Sequence, residues 1–165
     1  MQPSIEVRIK SGSSRYNSGA LRDYLIGVLI HQSDKAGFSR LSKDIAGITA
    51  DALIFADESH TFSHGVNTID TYNLKKIAGG QIVPTAVPKR RDGKYDGVGT
   101  VLGNHALGHH AAYEAVQWVM EKARKNGIAK VYVRDANHFG AAGYWSYLIS
   151  QEGDMESFVN CTGSA

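Results

Sequence analysis

The periodicity of the chain changes at the paired glycines Gly79 and Gly80. Before them the apolar residues recur at helical spacing. Leu21, Leu25, Val28 and Leu29 share one face over Leu21 to Ile30, and Gln32 to Ser39 breaks that pattern. Ile45, Ile48, Ala52 and Phe55 line a second helix from about Ser42 to Asp57, with Ser42 as its cap. Val66, Ile69, Asn73 and Ile77 line a third from about Val66 to Ala78, which Gly79 and Gly80 stop. Ahead of these, Ile5 to Lys10 alternates as a short strand does, and Ser11 to Ser18 reads as a loop.

After the glycines the pattern is strand and helix in alternation. Gln81 to Pro88 holds two prolines and is extended. Gly99 to Leu102 reads as a buried strand. A long helix follows from about Leu107 to Asn126, with Ala112, Ala115, Val116, Val119 and Ala123 on its apolar face and Gly127 as its stop. Ile128 to Val133 is a strand, Asn137 to Gly143 a glycine-bearing loop, Gly143 to Gln151 a helix and Ser157 to Cys161 a strand. This predicts an α/β (α+β) fold: a small helical domain over 1–80, leading into the first part of a mixed α/β layer over 81–165.

The length of 165 residues is about one domain's worth, and a hydrophobic share of 42% is enough for a core. Lys and Arg total 18 against 16 Asp and Glu, a net +2 that gives no reason to expect nucleic acid or a membrane surface. Lys89, Arg90 and Arg91, between Pro88 and the Asp92-Gly93 pair, read as a solvated loop. One cysteine, Cys161, precludes an internal disulfide and suits a reducing compartment. The N-terminus lacks the pattern of a signal peptide, and no apolar run approaches a membrane span. A cytoplasmic location is expected.

Three segments can carry chemistry. Ser63-His64-Gly65-Val66 opens the third helix, where free N–H groups favour anions. An imidazole titrating near neutrality can donate a proton to a developing alkoxide; the structural alternative is Ser63 as a cap and His64 as a surface residue. Asn137-His138-Phe139-Gly140-Ala141-Ala142-Gly143 follows a strand and precedes a helix, where α/β layers bind ligands, and its small residues permit a close backbone approach. It is not a G-x-G-x-x-G fingerprint. His105 and His109 have metal-ligand spacing, but no cysteine or carboxylate accompanies them, and a helix starting at Leu107 leaves His105 outside. No metal is expected.

In order and spacing these segments resemble one family. Ala56-Asp57, Ser63-His64-Gly65-Val66, Tyr72, Gly80 and Pro84 resemble its first signature. Gly103, Leu107 and Gly108 before a helix ending Ala123-Arg124-Lys125-Asn126-Gly127-Ile128 resemble its second. Asn137-His138-Phe139-Gly140 with Gly143-Tyr144 resembles its third. The family is the malate/L-lactate dehydrogenase type, nicotinamide-dependent but without a Rossmann fold. The resemblance covers roughly residues 20–163 and about half of a family member. It implies hydride transfer between NAD(H) or NADP(H) and a small keto or imino compound. His64 falls on the catalytic general acid. Ser63, Thr68, Asn137 and His138 fall at the substrate, and His138 and Gly140 at the cofactor. It also implies a homo-oligomer, as family members are dimers.

Two positions depart from the family. Thr68 stands four residues after His64, where members carry an arginine that holds the substrate carboxylate, and a hydroxyl cannot form that bidentate pair. Leu102 stands where members have aspartate before glycine. The chain also stops just after its last expected strand. A C-terminal half or a second chain is therefore expected to complete it. An alternative reading makes the junction after Ala165 a self-cleavage site, giving a two-chain amide hydrolase with its nucleophile at the new N-terminus.

Overall fold

The computed structural model describes residues 6–8, 15–39 and 41–161. Strands β1 (Glu6–Arg8) and β2 (Arg15–Asn17) pair antiparallel. Of the strand expected over Ile5 to Lys10, the flanking residues lie outside the described ones. The loop expected over 11–18 is corrected where it is described, because 15–17 pair with β1 and Ser18 is already helical.

Helix α1 spans Ser18–Lys35 and starts earlier than its apolar stripe does. Asn17 caps it, its side-chain oxygen accepting from the N–H groups of Gly19 at 2.9 Å and Ala20 at 3.2 Å. It also ends later, because Ser33 continues the buried face of Leu25 and Leu29. Helix α2 (Lys43–Glu58) matches its expectation, with Ser42 accepting from Ile45 N–H at 3.2 Å.

The third helical segment is not one regular helix. Two 3-10 turns, Phe62–His64 and Val66–Thr68, precede a π turn over Asp70–Leu74 and a short α3 (Lys75–Ala78). In the π turn Lys75 N–H donates to the Asp70 carbonyl, five residues back. Asn73 and Ile77 are buried and Val66 and Ile69 pack against the core, so the expected face is kept although the helix is irregular, and Thr68 is buried as well.

Strands β3 (Lys89–Asp92), β4 (Val98–Leu102) and β5 (Lys130–Arg134) form a sheet in that order, β3 antiparallel and β5 parallel to β4. The run Lys89 to Arg91 is thus an exposed edge strand and not a loop. Its charges are tolerated because they face water or α4: Arg90 Nε meets Glu114 at 2.8 Å. Helix α4 (Gly108–Asn126) is the crossover that a parallel pair requires, and α5 (Ala142–Ser150) follows β5. Ser157 to Cys161, expected as a strand, has no regular structure; no strand among the described residues offers it a ladder.

The core has two clusters. Leu25, Leu29, Ile54, Ile77, Ile82 and Leu107 hold the first; Ala52, Val116, Met120, Trp145 and Ile149 hold the second. Helix α2 serves both, with Ala50 and Ile54 in one and Ala52 in the other. Each fully buried Leu or Ile contributes about 1.5–3 kcal/mol relative to exposure. So α2 is held on both sides, and its C-terminal end gives the following turns a fixed base. No helix among the described residues is long and apolar enough to cross a membrane.

Candidate active site

The site forms where the turns after α2 meet the loop after β5. That loop leaves the carboxyl end of a parallel strand, the usual ligand side of an α/β layer. It is held at both ends. Asn137 donates its side-chain amide to the carbonyls of Ala106 at 3.1 Å and His105 at 3.4 Å. The Trp145 indole N–H donates to the Phe139 carbonyl at 3.0 Å. Asn137 therefore ties the loop after β5 to the loop after β4.

Between these anchors His138 is sandwiched. Tyr72 stacks on it with ring centroids 4.2 Å apart and planes 10° from parallel. His64 stacks on it at 5.4 Å and 25°. The Gly140 N–H donates to His138 Nδ1 at 3.3 Å, which leaves the proton of the neutral ring on Nε2. Burial, with the nearby charges of His64 and Lys76, holds His138 below the usual imidazole range. His138 is thus a neutral ring able to donate from Nε2.

His64 is half-buried and ends a 3-10 turn, not the start of a helix as expected. Ser63 Oγ lies 2.9 Å from its Nδ1, and Ser63 caps nothing. The cap comes from Asp57, whose Oδ2 accepts from Val66 N–H at 3.1 Å. Gly65 makes this contact possible, because a Cβ there would occupy the space of the Asp57 carboxylate. Burial raises the Asp57 carboxyl, and the bond from Val66 opposes that rise.

His64 also lines a cavity of about 410 Å³ with Phe55, Ser59, Thr61, Phe139, Gly140, Ala141, Ala142, Gly143 and Cys161. Gly140 has φ +78°, a conformation that side chains rarely adopt, and a Cβ on it would meet His109 Nε2 at 2.9 Å. His109 lies fully buried behind the loop with neither ring nitrogen hydrogen-bonded. Exposed His105 sits at φ 59° outside the helix, so the two histidines do not share a metal-binding face.

The structure therefore brings His64, Ser63, His138 and Gly140 together. Asn137 supports the loop. Thr68 is buried, with its hydroxyl donated to the Gly65 carbonyl at 2.7 Å, and does not line the cavity. Sequence reasoning gave no site role to Asp57, Tyr72 or Lys76, and weighed His109 only as a metal ligand. Only Asp57 and Tyr72 had a signal, as members of the first signature run.

Two internal segments of the chain, the turns after α2 and the loop after β5, thus meet around a histidine pair beside a cavity, the arrangement of a candidate active site in an α/β enzyme. The profile of the malate/L-lactate dehydrogenase family matches residues 35–163. The chain belongs to the malate/L-lactate dehydrogenase family. It is 37% identical over 115 residues to the malate/(S)-sulfolactate dehydrogenase of Methanothermus fervidus, covering 70% of this chain and 33% of that protein. It is 33% identical over 132 residues to the malate dehydrogenase of Pyrococcus abyssi, covering 80% and 35%. Its fold is similar to that of malate dehydrogenase from Entamoeba histolytica, with a TM-score of 0.71, 32% identity, and 82% of this chain and 36% of that one covered. The chain thus spans about a third of the length of these relatives.

Proposed function

We propose that this chain is the N-terminal part of an oxidoreductase that transfers hydride between NAD(H) or NADP(H) and a small keto or imino compound, with His64 as general acid. The observation that carries this reading is the His64–His138 stack at the edge of the cavity, 5.4 Å between centroids. It puts one proton-transferring ring and one neutral ring on a common edge.

The cavity suits a nicotinamide cofactor in two respects. Ala141, Ala142 and Gly143 leave room for a flat ring close to the backbone. Helix α5 also starts there without a side-chain cap, so the N–H groups of Ala142 and Gly143, with no partner among the described residues, suit a phosphate, while that of Tyr144 donates to the Ala141 carbonyl. Gly140 and His138 are the residues that would hold the group, and when bound it supplies the hydride. In the reducing direction His138 donates a hydrogen bond from Nε2 to the substrate oxygen or nitrogen. His64 transfers its proton to that atom as negative charge develops. His64 then regains a proton from water, to which its half-buried position gives access.

Completion of the protomer is part of the proposal. Strand β5 pairs only with β4 among the described residues. Ile128 just before it is 80% exposed, and Tyr132 and Val133 are exposed on it. Such an edge fits the remaining two thirds of the relatives' length, supplied as a continuation or a second chain.

The test is a spectrophotometric assay of the complete protein at the nicotinamide absorbance, with a panel of 2-oxo acids and cyclic imines. Oxidation of NADH or NADPH that depends on one of them supports the reading. Absence of turnover with every pair, in folded protein, rejects it.

A further inference from the structure

The first turn of α4 is the floor on which the loop after β5 rests. A Cβ on Gly108 would run into the carbonyl oxygens of Asn137 and His138, so helix and loop backbones touch there. The next residue, His109, continues the floor with its side chain. A Cβ on Gly140 would meet His109 Nε2 at 2.9 Å and Cδ2 at 3.3 Å, with Ala52 Cβ at 4.0 Å. The edge of the imidazole therefore closes the space on the inner side of Gly140, where the chain bends at φ +78°. Trp145 flanks the same ring, 6.4 Å between centroids, and its indole N–H holds the Phe139 carbonyl.

Packing alone does not ask for an imidazole here. His109 is fully buried, and neither ring nitrogen has a hydrogen-bond partner among the described residues. A neutral ring carries one N–H donor and one acceptor, and each costs stability when left unpaired in the interior. Leucine fills a similar volume without that cost. A polar group kept against stability points to a functional position. What His109 touches is the residue whose N–H fixes the catalytic ring: Gly140 donates to His138 Nδ1 at 3.3 Å.

We propose that His109 is a positioning residue of this site, holding Gly140 so that its N–H stays on His138 Nδ1 and the proton of His138 stays on Nε2. It acts through Gly140 and touches neither substrate nor cofactor. The proposal deepens the oxidoreductase reading above, and its kinetic arm rests on that reading. Burial holds His109 at about 3, so the ring is neutral at neutral pH. It therefore acts on His138 by geometry and not by charge.

The experiment compares the complete protein, labelled with 15N at histidine, with its H109L and H109Q variants. Leucine removes the polar edge, and glutamine keeps a polar end at similar reach. In the substrate-free parent, the His138 shifts should show one tautomer, protonated on Nε2. In H109L they should show a mixture, and His138 should titrate at higher pH, because the neutral ring has lost the bond to Nδ1. With NADH or NADPH and a 2-oxo acid or cyclic imine, kcat should fall about tenfold or more in H109L, while its thermal midpoint at pH 7 stays at or above the parent's. H109Q should recover both the tautomer and kcat. An unchanged His138 tautomer in H109L overturns the proposal. A lower midpoint together with lower kcat in both variants also overturns it, because that marks a structural role. A parent protein that turns over no pair removes the oxidoreductase reading, and the tautomer in H109L then decides the role of His109 by itself.

Discussion

His138 lies face to face with Tyr72, 4.2 Å between centroids and 10° from parallel. The contact joins the loop after β5 to the helical segment after α2, two parts of the chain 66 residues apart in sequence. With Gly140 N–H on Nδ1, it fixes both the plane and the tautomer of the ring. The site thus holds His138 in one orientation beside His64.

His64→Asn should lower kcat by about a hundredfold to ten thousandfold in the complete protein, the usual range for loss of a general acid. The residue is only half-buried, so the thermal midpoint should stay close to that of the parent. Steady-state kinetics beside a melt checks both. Turnover at the parent's rate would remove His64 from the mechanism.

Gly65→Ala should displace the Asp57 carboxylate and free the Val66 N–H. Overpacking of this kind costs about 1–3 kcal/mol. Because His64 is the adjacent residue, activity should fall together with stability. Urea melts and kcat measured on one preparation show whether the two losses coincide.

Acid should destabilise the protein from about pH 6.5 downward. Burial holds His109, His110 and His138 below the usual imidazole range, His109 at about 3. Below about pH 6.5 the unfolded chain binds more protons than the folded one, so stability is complete above that pH and declines as pH falls. For His109 the decline continues to about pH 3, at up to about 1.4 kcal/mol per pH unit. His109→Gln should flatten this slope in melts run from pH 7 to pH 5. A variant whose midpoints track the parent's at every pH would show that His109 is not the sensitive group.

Residues 1–165 produced alone should self-associate through the β5 edge, which pairs with no other described strand and where Val133 is 40% exposed. Val133→Lys should reduce that association. Sedimentation velocity over a concentration series measures it, and a monomeric parent would contradict the proposed completion of the sheet.

Much of the architecture was legible because it rests on local signals. Ser42 with the Ile45, Ile48, Ala52 stripe located α2, and the long apolar face before Gly127 located α4. The errors have a common physical source, which is tertiary context. The π turn over Asp70–Leu74 interrupts the expected regular helix while its buried face is kept, and no residue type in it announces the interruption. Lys89 to Arg91 form a strand because β4 offers a ladder, against the polarity of their side chains. In the site, His64 and His138 were marked by their motif runs. The cap from Asp57 and the buried His109 behind Gly140 depend on contacts between distant segments, which spacing does not encode.

Hydride transfer is the central claim, and isotope transfer tests it most directly. The complete protein is incubated with NADH or NADPH carrying deuterium at C4 in each stereochemical position, together with a 2-oxo acid. The product is then examined by mass spectrometry and NMR. The account predicts one deuterium bonded to C2 of the 2-hydroxy acid from one of the two labelled forms, and its near-complete loss in His64→Asn. Product without deuterium from either form, or no product from folded protein that binds neither cofactor, would contradict it.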